Sequence, residues 1–308
     1  MNINMNFLIN YFSDAPDWHR VVLLTVSIFL FWNIESFSGV TLNYRKWKHA
    51  FTNAFFTIPA IPVQLLLGYV LLKVIDFDTN NHFGLINWLP TMKPIYSFLL
   101  AFIVLDLCEY AYHVLMHHVK TLWKFHLVHH SDTVVDVSTT LREHPGETFI
   151  RLSFLVLWVL LSGVSFWALI FRQFIQIGSN VFAHANFRLP NKVDKVVGWI
   201  FITPNLHHVH HHYEVPYTDS NYGDVLSVWD RIFGTFMELD ANHTIFGVDT
   251  HMAAEENANI KNLILMPMDE YRGGQKQAIS SPPHQTQQIT FPRLLQQNSF
   301  SRLKKERT

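Results

Sequence analysis

The chain has 308 residues, a formal charge of −1, one cysteine and 19 histidines, with 49% hydrophobic and only 15% charged residues. Soluble domains carry about 25% charged residues, so the composition leans toward a membrane protein. The even charge balance leaves no basic excess for phosphates and argues against nucleic-acid binding, and a lone Cys108 excludes an internal disulfide framework and any CxxC zinc or redox motif.

The first stretch, "MNINMNFLINYFSDAPDWHR" (1–20), has neither a basic leader region nor a small-residue cleavage site and is read as a retained N-terminal segment. Four apolar runs follow. "VVLLTVSIFLFWNIESFSGV" (21–40) and "FTNAFFTIPAIPVQLLLGYVLLKVI" (51–75) each reach the ~20 residues a bilayer crossing needs. Glu35 interrupts the former; Pro59 and Pro62 kink the latter. "IYSFLLAFIVLDLCEYAYHVLM" (95–116) is a third span that runs directly into histidines. The fourth run, 149–177, is broken by Ser162-Gly163. At ~1.5 Å per residue its halves reach only ~21–24 Å, which predicts a hairpin returning to its side of entry.

Arg45, Lys46 and Lys48 between the first two spans, against Asp76, Asp78 and a single Lys93 between the next two, put the 41–50 loop in the cytoplasm. The third span and the hairpin then bring every histidine cluster to that same side. Beyond residue 240 the chain turns polar apart from "IKNLILMPM" (260–268), and its Gln-, Ser- and Pro-rich end reads as a partly disordered tail. The expected division is a segment over 1–20, a membrane domain over 21–248 and a tail over 249–308. The expected fold is all-α: an integral membrane bundle of three long spans plus a hairpin, under a cytoplasmic helical cap.

Thirteen histidines fall between positions 113 and 212. His113 and His117 are spaced i, i+4; His126, His129 and His130 follow as i, i+3, i+4, and His207, His210 and His211 repeat that pattern. On a helix such sets share a face, so three imidazoles aim into a volume two metals can divide. His184 follows the hairpin. Nine imidazoles give four or five per metal, and imidazole suits iron, zinc, copper and nickel alike. A second register, His208, His211 and His212, also fits HxxHH, but one residue turns the face by ~100°. Ligating imidazoles usually give their other N–H to a carboxylate or carbonyl. Candidates for that supporting role are Asp106, Glu109, Tyr110, His144, Asp224 and Asp230, with Glu143 beside them.

"DLCEYAYHVLMHH", "LWKFHLVHHSD", "TTLREHPGE" and "TPNLHHVHHHYEVPYTDSNYGDVLSVWDRIFGTF" resemble the fatty acid hydroxylase, or sterol desaturase, superfamily, over residues 20 to 268. The resemblance implies an integral membrane enzyme with two iron ions (zinc as an isolated form) that uses O2 to hydroxylate or desaturate a lipid C–H bond. The substrate would be a sterol, fatty acyl chain or ether lipid. It carries the three histidine boxes onto His113 and His117; His126, His129 and His130; and His207, His210 and His211, with His184 as an additional ligand. The Thr203-Pro204 pair selects the first register. Where acyl hydroxylases often carry a further histidine, this chain has Arg188. No GxGxxG fingerprint is present, so electrons are expected from a ferredoxin, a b-type cytochrome or a reductase. The lack of a targeting tail favours a bacterial inner membrane over the endoplasmic reticulum. The alternatives are a zinc-dependent membrane hydrolase, which the absence of HExxH disfavours, and a metal-binding or transport protein, disfavoured because the histidines lie at helix ends rather than mid-membrane.

Overall fold

The structure, a computed structural model, describes residues 5–38, 44–240 and 243–269. The expected tail from 270 onward lies outside the described residues. The described part is helical: α1 (Met5–Ser13), α2 (Asp17–Ser38), α3 (Lys46–Phe55), α4 (Thr57–Asn81), α5 (Pro94–His118), α6 (Lys120–His130), α7 (Pro145–Ser162), α8 (Phe166–His184), α9 (Asn191–Val197), α10 (Pro204–His210), α11 (Val228–Phe233), α12 (Ala254–Asn257) and α13 (Ile260–Leu265). Among the described residues there is no strand, only two isolated bridges, Phe201 to Leu226 and His212 to Phe246.

Four stretches are long and apolar enough to cross a membrane: Trp18–Phe37, Lys46–Asn81, Pro94–His118 and Pro145–Ser162. Their outward faces are apolar, with Phe29, Leu65, Leu66 and Tyr69 all 60% or more exposed. Such a surface is costly in water and natural in lipid. The kink expected in the second span appears as a break at Phe56, between α3 and α4. Pro59 in the first turn of α4 has no N–H to continue the ladder. Phe56 is fully buried against Leu127, Val128, Leu263 and Met266.

The hairpin turns at Gly163, in the left-handed region with φ of 66°, where Phe83 O would lie 2.5 Å from any added Cβ. It reaches deeper than its expected length implied. α7 alone has 18 residues, or ~27 Å. Its far end is hydrogen-bonded to the α4–α5 connection through Leu85 N–H to Leu161 O and Ile86 N–H to Ser162 O. The tip therefore lies level with the distal ends of the neighbouring spans. Val159 and Leu155 of α7 pack with Ile75 of α4, Phe98 and Leu105 of α5 and Leu169 of α8 to form the bundle core.

Two polar contacts tie the bundle to the cap. Glu35 of α2, 2% exposed, accepts the backbone N–H groups of Val137 and Asn186 and pairs with Lys46 at 3.0 Å. Asp106, at the centre of α5, accepts from Val225 N–H, Leu226 N–H and Trp229 Nε1. A carboxylate in an apolar span costs about 2.5–3.5 kcal/mol on insertion scales, and three donors plus Arg172 at 3.8 Å offset that cost. Past residue 248 the chain is still folded. Leu263 and Met266 pack on α6, and Arg142 donates to the Asn257 carbonyl. At the other end, Phe12 of α1 stacks on Phe171.

Candidate metal centre

Each histidine box folds as a helix for a local reason. The first ends α5, and the second ends α6, one residue beyond it. The third is α10, whose N-cap Thr203 accepts the Leu206 N–H and whose Pro204 sits at N1, where no N–H is needed. The i, i+3, i+4 spacing then divides each of the last two boxes between two neighbouring volumes. His113, His117, His126, His130 and His210 form one group; His129, His184, His207 and His211 form the other. Within each group the candidate ligand atoms lie within 4.8 Å of one another. The groups adjoin, with the His130 and His211 rings stacked 4.6 Å apart. All nine sequence-identified histidines are in these two groups.

The outer ring nitrogens define the tautomers. His113 Nδ1 meets Tyr222 O at 2.9 Å, His129 Nδ1 meets Arg142 O at 3.1 Å, His184 Nδ1 meets Asn180 O at 2.8 Å, and His210 Nδ1 meets Ser220 O at 2.7 Å. A carbonyl only accepts, so each of these Nδ1 atoms carries the proton and each Nε2 presents a lone pair inward. Yet His129 Nε2 and His184 Nε2 face each other at 3.1 Å. Two lone pairs at that distance repel unless a cation lies between them. His113 and His126 repeat the arrangement, with Nε2 atoms 3.1 Å apart and His126 Nδ1 on Glu147 Oε1 at 2.6 Å. Contacts of 3.0 Å between His207 and His184 and 3.2 Å between His211 and His207 complete the second group. Imidazoles ~2.05 Å from one metal stand ~2.9 Å apart at right angles and ~3.35 Å apart in a tetrahedron, a range that brackets these separations. His117 Nε2, His210 Nε2 and both nitrogens of His130 are buried without a hydrogen-bond partner. The donor set fits a pair of first-row metal ions.

Electrostatics agree. Burial, reinforced by neighbouring imidazoles, holds His126, His130, His207 and His211 well below the ordinary histidine range. Burial does the same for His129 and His210, against opposing hydrogen bonds from the Arg142 and Ser220 carbonyls. These rings are neutral at pH 7 and free to ligate. Behind them, burial would raise Asp132, but His49 and Arg142 hold it well below the usual carboxylate range.

Residues 98–235 match the fatty acid hydroxylase family model. That segment reads as a fatty acid hydroxylase domain, and the relatives it matches belong to the fatty acid hydroxylase superfamily. Among its relatives, alkylglycerol monooxygenase of Danio rerio is 30% identical over 199 residues, 61% of this chain and 40% of that protein. Ornithine lipid hydroxylase OlsE of Rhizobium tropici is 28% identical over 160 residues, 51% of this chain and 45% of that protein. Very-long-chain aldehyde decarbonylase GL1-9 of Oryza sativa subsp. indica is 26% identical over 58% of this chain and 69% of that protein. The chain thus spans less than half the length of the first two. No solved structure matches.

The supporting residues are placed differently from the histidines. None of the six candidates hydrogen-bonds a grouped histidine through its side chain. Asp106 holds backbone, Glu109 faces Arg172 at 3.9 Å, and Asp224 pairs with Arg172 at 3.0 Å. Tyr110 meets Thr235 at 2.9 Å. Asp230 acts one step removed: it accepts the Tyr222 N–H at 2.7 Å and so holds the residue whose carbonyl receives His113. His144 caps α7 through Gly146 N–H and reaches Ile264 O. Glu143 is taken up by Thr148 and Arg151. The carboxylates that do reach the site are Glu147 on His126 and Asp219 on His117, at 2.6 and 3.2 Å. Sequence reading missed both, although Glu147 opens the helix that "REHPGE" announces. His208 packs on Phe246 and His212 Nδ1 accepts the Ile245 N–H, outside both groups.

Proposed function

We propose that the chain is a membrane-bound di-iron oxygenase that uses O2 and externally supplied electrons to hydroxylate, or desaturate, a lipid C–H bond. The observation that carries the reading is the facing of unprotonated Nε2 atoms across ~3 Å inside two adjoining all-nitrogen groups, which calls for two cations. Relatives named for alkylglycerol and ornithine lipid chemistry, and a body of membrane-capable helices, support a lipid substrate.

Two irons held by the five- and four-imidazole groups would supply O2 reduction and the oxidising power for C–H cleavage. The chain's residues supply the rest. Tyr222, Arg142, Asn180 and Ser220 carbonyls and the Glu147 and Asp219 carboxylates fix which nitrogen is bare in six of the nine rings. The carboxylates also make His126 and His117 stronger donors. Burial excludes bulk water from the rings. The α5 span, ending at His118, places the groups where an apolar chain from the bilayer can meet them. The histidine side is read as cytoplasmic in a bacterial inner membrane, with a ferredoxin, b-type cytochrome or reductase delivering electrons there.

The test is lipid mass spectrometry on aerobic cells expressing the wild type or His129→Ala, alongside metal analysis of the purified proteins. A lipid shifted by about 16 or −2 mass units, present only with the wild type, is the expected result. Metal-loaded wild type that alters no lipid under electron-sufficient aerobic conditions overturns the reading.

A further inference from the structure

The cap carries an apolar face that the metal site does not use. Val193, Val196, Trp199, Ile200 and Phe201 are between 46% and 74% exposed, and Ile232 and Phe233 of α11 are 61% and 56% exposed. In a water-facing cap such a contiguous patch would be a liability. Its depth says otherwise. A hydrocarbon core of ~30 Å takes about 20 helical residues, a count that runs from Pro94 of α5 to His113. Asp106 and Tyr110 lie inside that interval. Trp229 Nε1 is 2.8 Å from Asp106, and Phe233 stacks on Tyr110 with ring centroids 5.3 Å apart. The strip before α10 is fastened to the same level, through Ile202 N–H to Val225 O and Ser227 N–H to Ile200 O.

We propose that α9, the strip 198–202 and α11 form a re-entrant wedge seated among the lipid acyl chains of the histidine-side leaflet. Non-helical backbone survives at membrane depth only where protein satisfies its polar groups. The wedge meets that condition: Val225 and Leu226 N–H reach Asp106, Ser227 Oγ donates to Gly198 O at 2.6 Å, and the Phe201–Leu226 bridge closes the strip. Asp106 thereby gains a reason to stand in an apolar span, since it replaces water for two donors that water cannot reach. On α9, Val193 and Val196 share one stripe while Lys192 and Lys195 share the next, both lysines exposed. An apolar stripe flanked by cations is the pattern of a helix lying at the headgroup boundary. Arg231, stacked over Trp199 with its guanidinium 4.9 Å from the ring, can extend its head toward phosphates from the same place.

The test uses the full chain in nanodiscs of phosphatidylcholine and phosphatidylglycerol, with Cys108→Ser and single cysteines carrying an environment-sensitive fluorophore. V196C and I232C probe the wedge; L66C on the lipid face of α4 and E255C on α12 are the references. Acyl-chain nitroxide lipids are expected to quench the wedge labels roughly twofold or more, as they do Leu66, while aqueous iodide quenches only the Glu255 label. Iodide quenching at both wedge positions, with no nitroxide effect, overturns the proposal. Protection from both quenchers also overturns it, because the face would then be covered by protein, a second copy included. The readout is independent of lipid oxidation, so it stands or fails apart from the proposed activity.

Discussion

The two histidine groups are built from the same boxes yet held by different means. In the five-membered group, two rings lean on carboxylates: His126 on Glu147, buried at 2.6 Å, and His117 on Asp219, at 3.2 Å with a 32% exposed side chain. In the four-membered group the acceptors are backbone carbonyls of Arg142 and Asn180, and His207 Nδ1 and His211 Nδ1 have no partner. A carboxylate makes its imidazole a stronger donor than a carbonyl does. With five donors rather than four, the first group is expected to hold a metal ion more tightly, and the second to empty first.

The largest effect that can break this comparison comes from deleting one ligand in each group. His207→Ala leaves three imidazoles in the weaker group. It is expected to lower metal from two ions per chain toward one and lipid product by more than the ~10–100-fold typical of lost supporting contacts. His130→Ala leaves four in the stronger group and should cost less metal. Metal counting on the purified variants decides it, and the reverse order would mean that carboxylate support does not rank the sites.

Glu147→Gln and Asp219→Asn sharpen the comparison one level out. Glu147→Gln is expected to weaken metal retention against a chelator by about 10–100-fold. Asp219→Asn should give a smaller loss, because solvent reaches that side chain and the contact is longer. Equal losses would show that burial of the acceptor does not matter.

Acidification acts on both groups. Burial lowers His126, His129, His130, His207, His210 and His211, the second and third boxes, relative to the ordinary 6.5. With folded values below unfolded ones, the unfolded chain binds more protons as pH falls, so stability is present above about 6.5 and is lost below it. Protein stripped by a chelator is expected to lose roughly 5 °C or more of melting temperature between pH 7 and 5.5, and metal-loaded protein less. A flat profile for the stripped form would mean those rings are not buried neutral.

The spans and the boxes could be read from the sequence because both are periodic. An apolar run of bilayer length and an i, i+3, i+4 histidine set are local patterns, and the Ser162-Gly163 break is local too. The supports were not legible for two reasons. Carbonyl acceptors such as Tyr222 and Asn180 have no side-chain signature, and Asp219 lies 102 residues from His117 along the chain. Asp106 stood out by its cost in an apolar span, but sequence could not show that it holds backbone N–H groups rather than a ring. The hairpin's depth was underestimated because an apolar-run count misses the polar first turn that α7 adds at Pro145.

The smallest expected effect bears on register. His208 would join His211 and His212 in the alternative HxxHH set, and it too is buried with an unpartnered Nε2. Its ring, however, packs edge-on to Phe246 with centroids 5.2 Å apart, whereas His207 Nε2 lies 3.0 Å from His184 Nε2. The ~100° between successive residues puts the two rings on different sides of α10. His208→Leu removes an unsatisfied Nε2 and keeps an apolar contact but gives up the ring's hydrogen bonding to the backbone of His184 and Ala185, so stability should fall by about 1 kcal/mol. Metal content and lipid product should match the wild type. A loss of one metal ion per chain in this variant would move the four-membered group onto the other face of α10, and with it the ranking of the two sites.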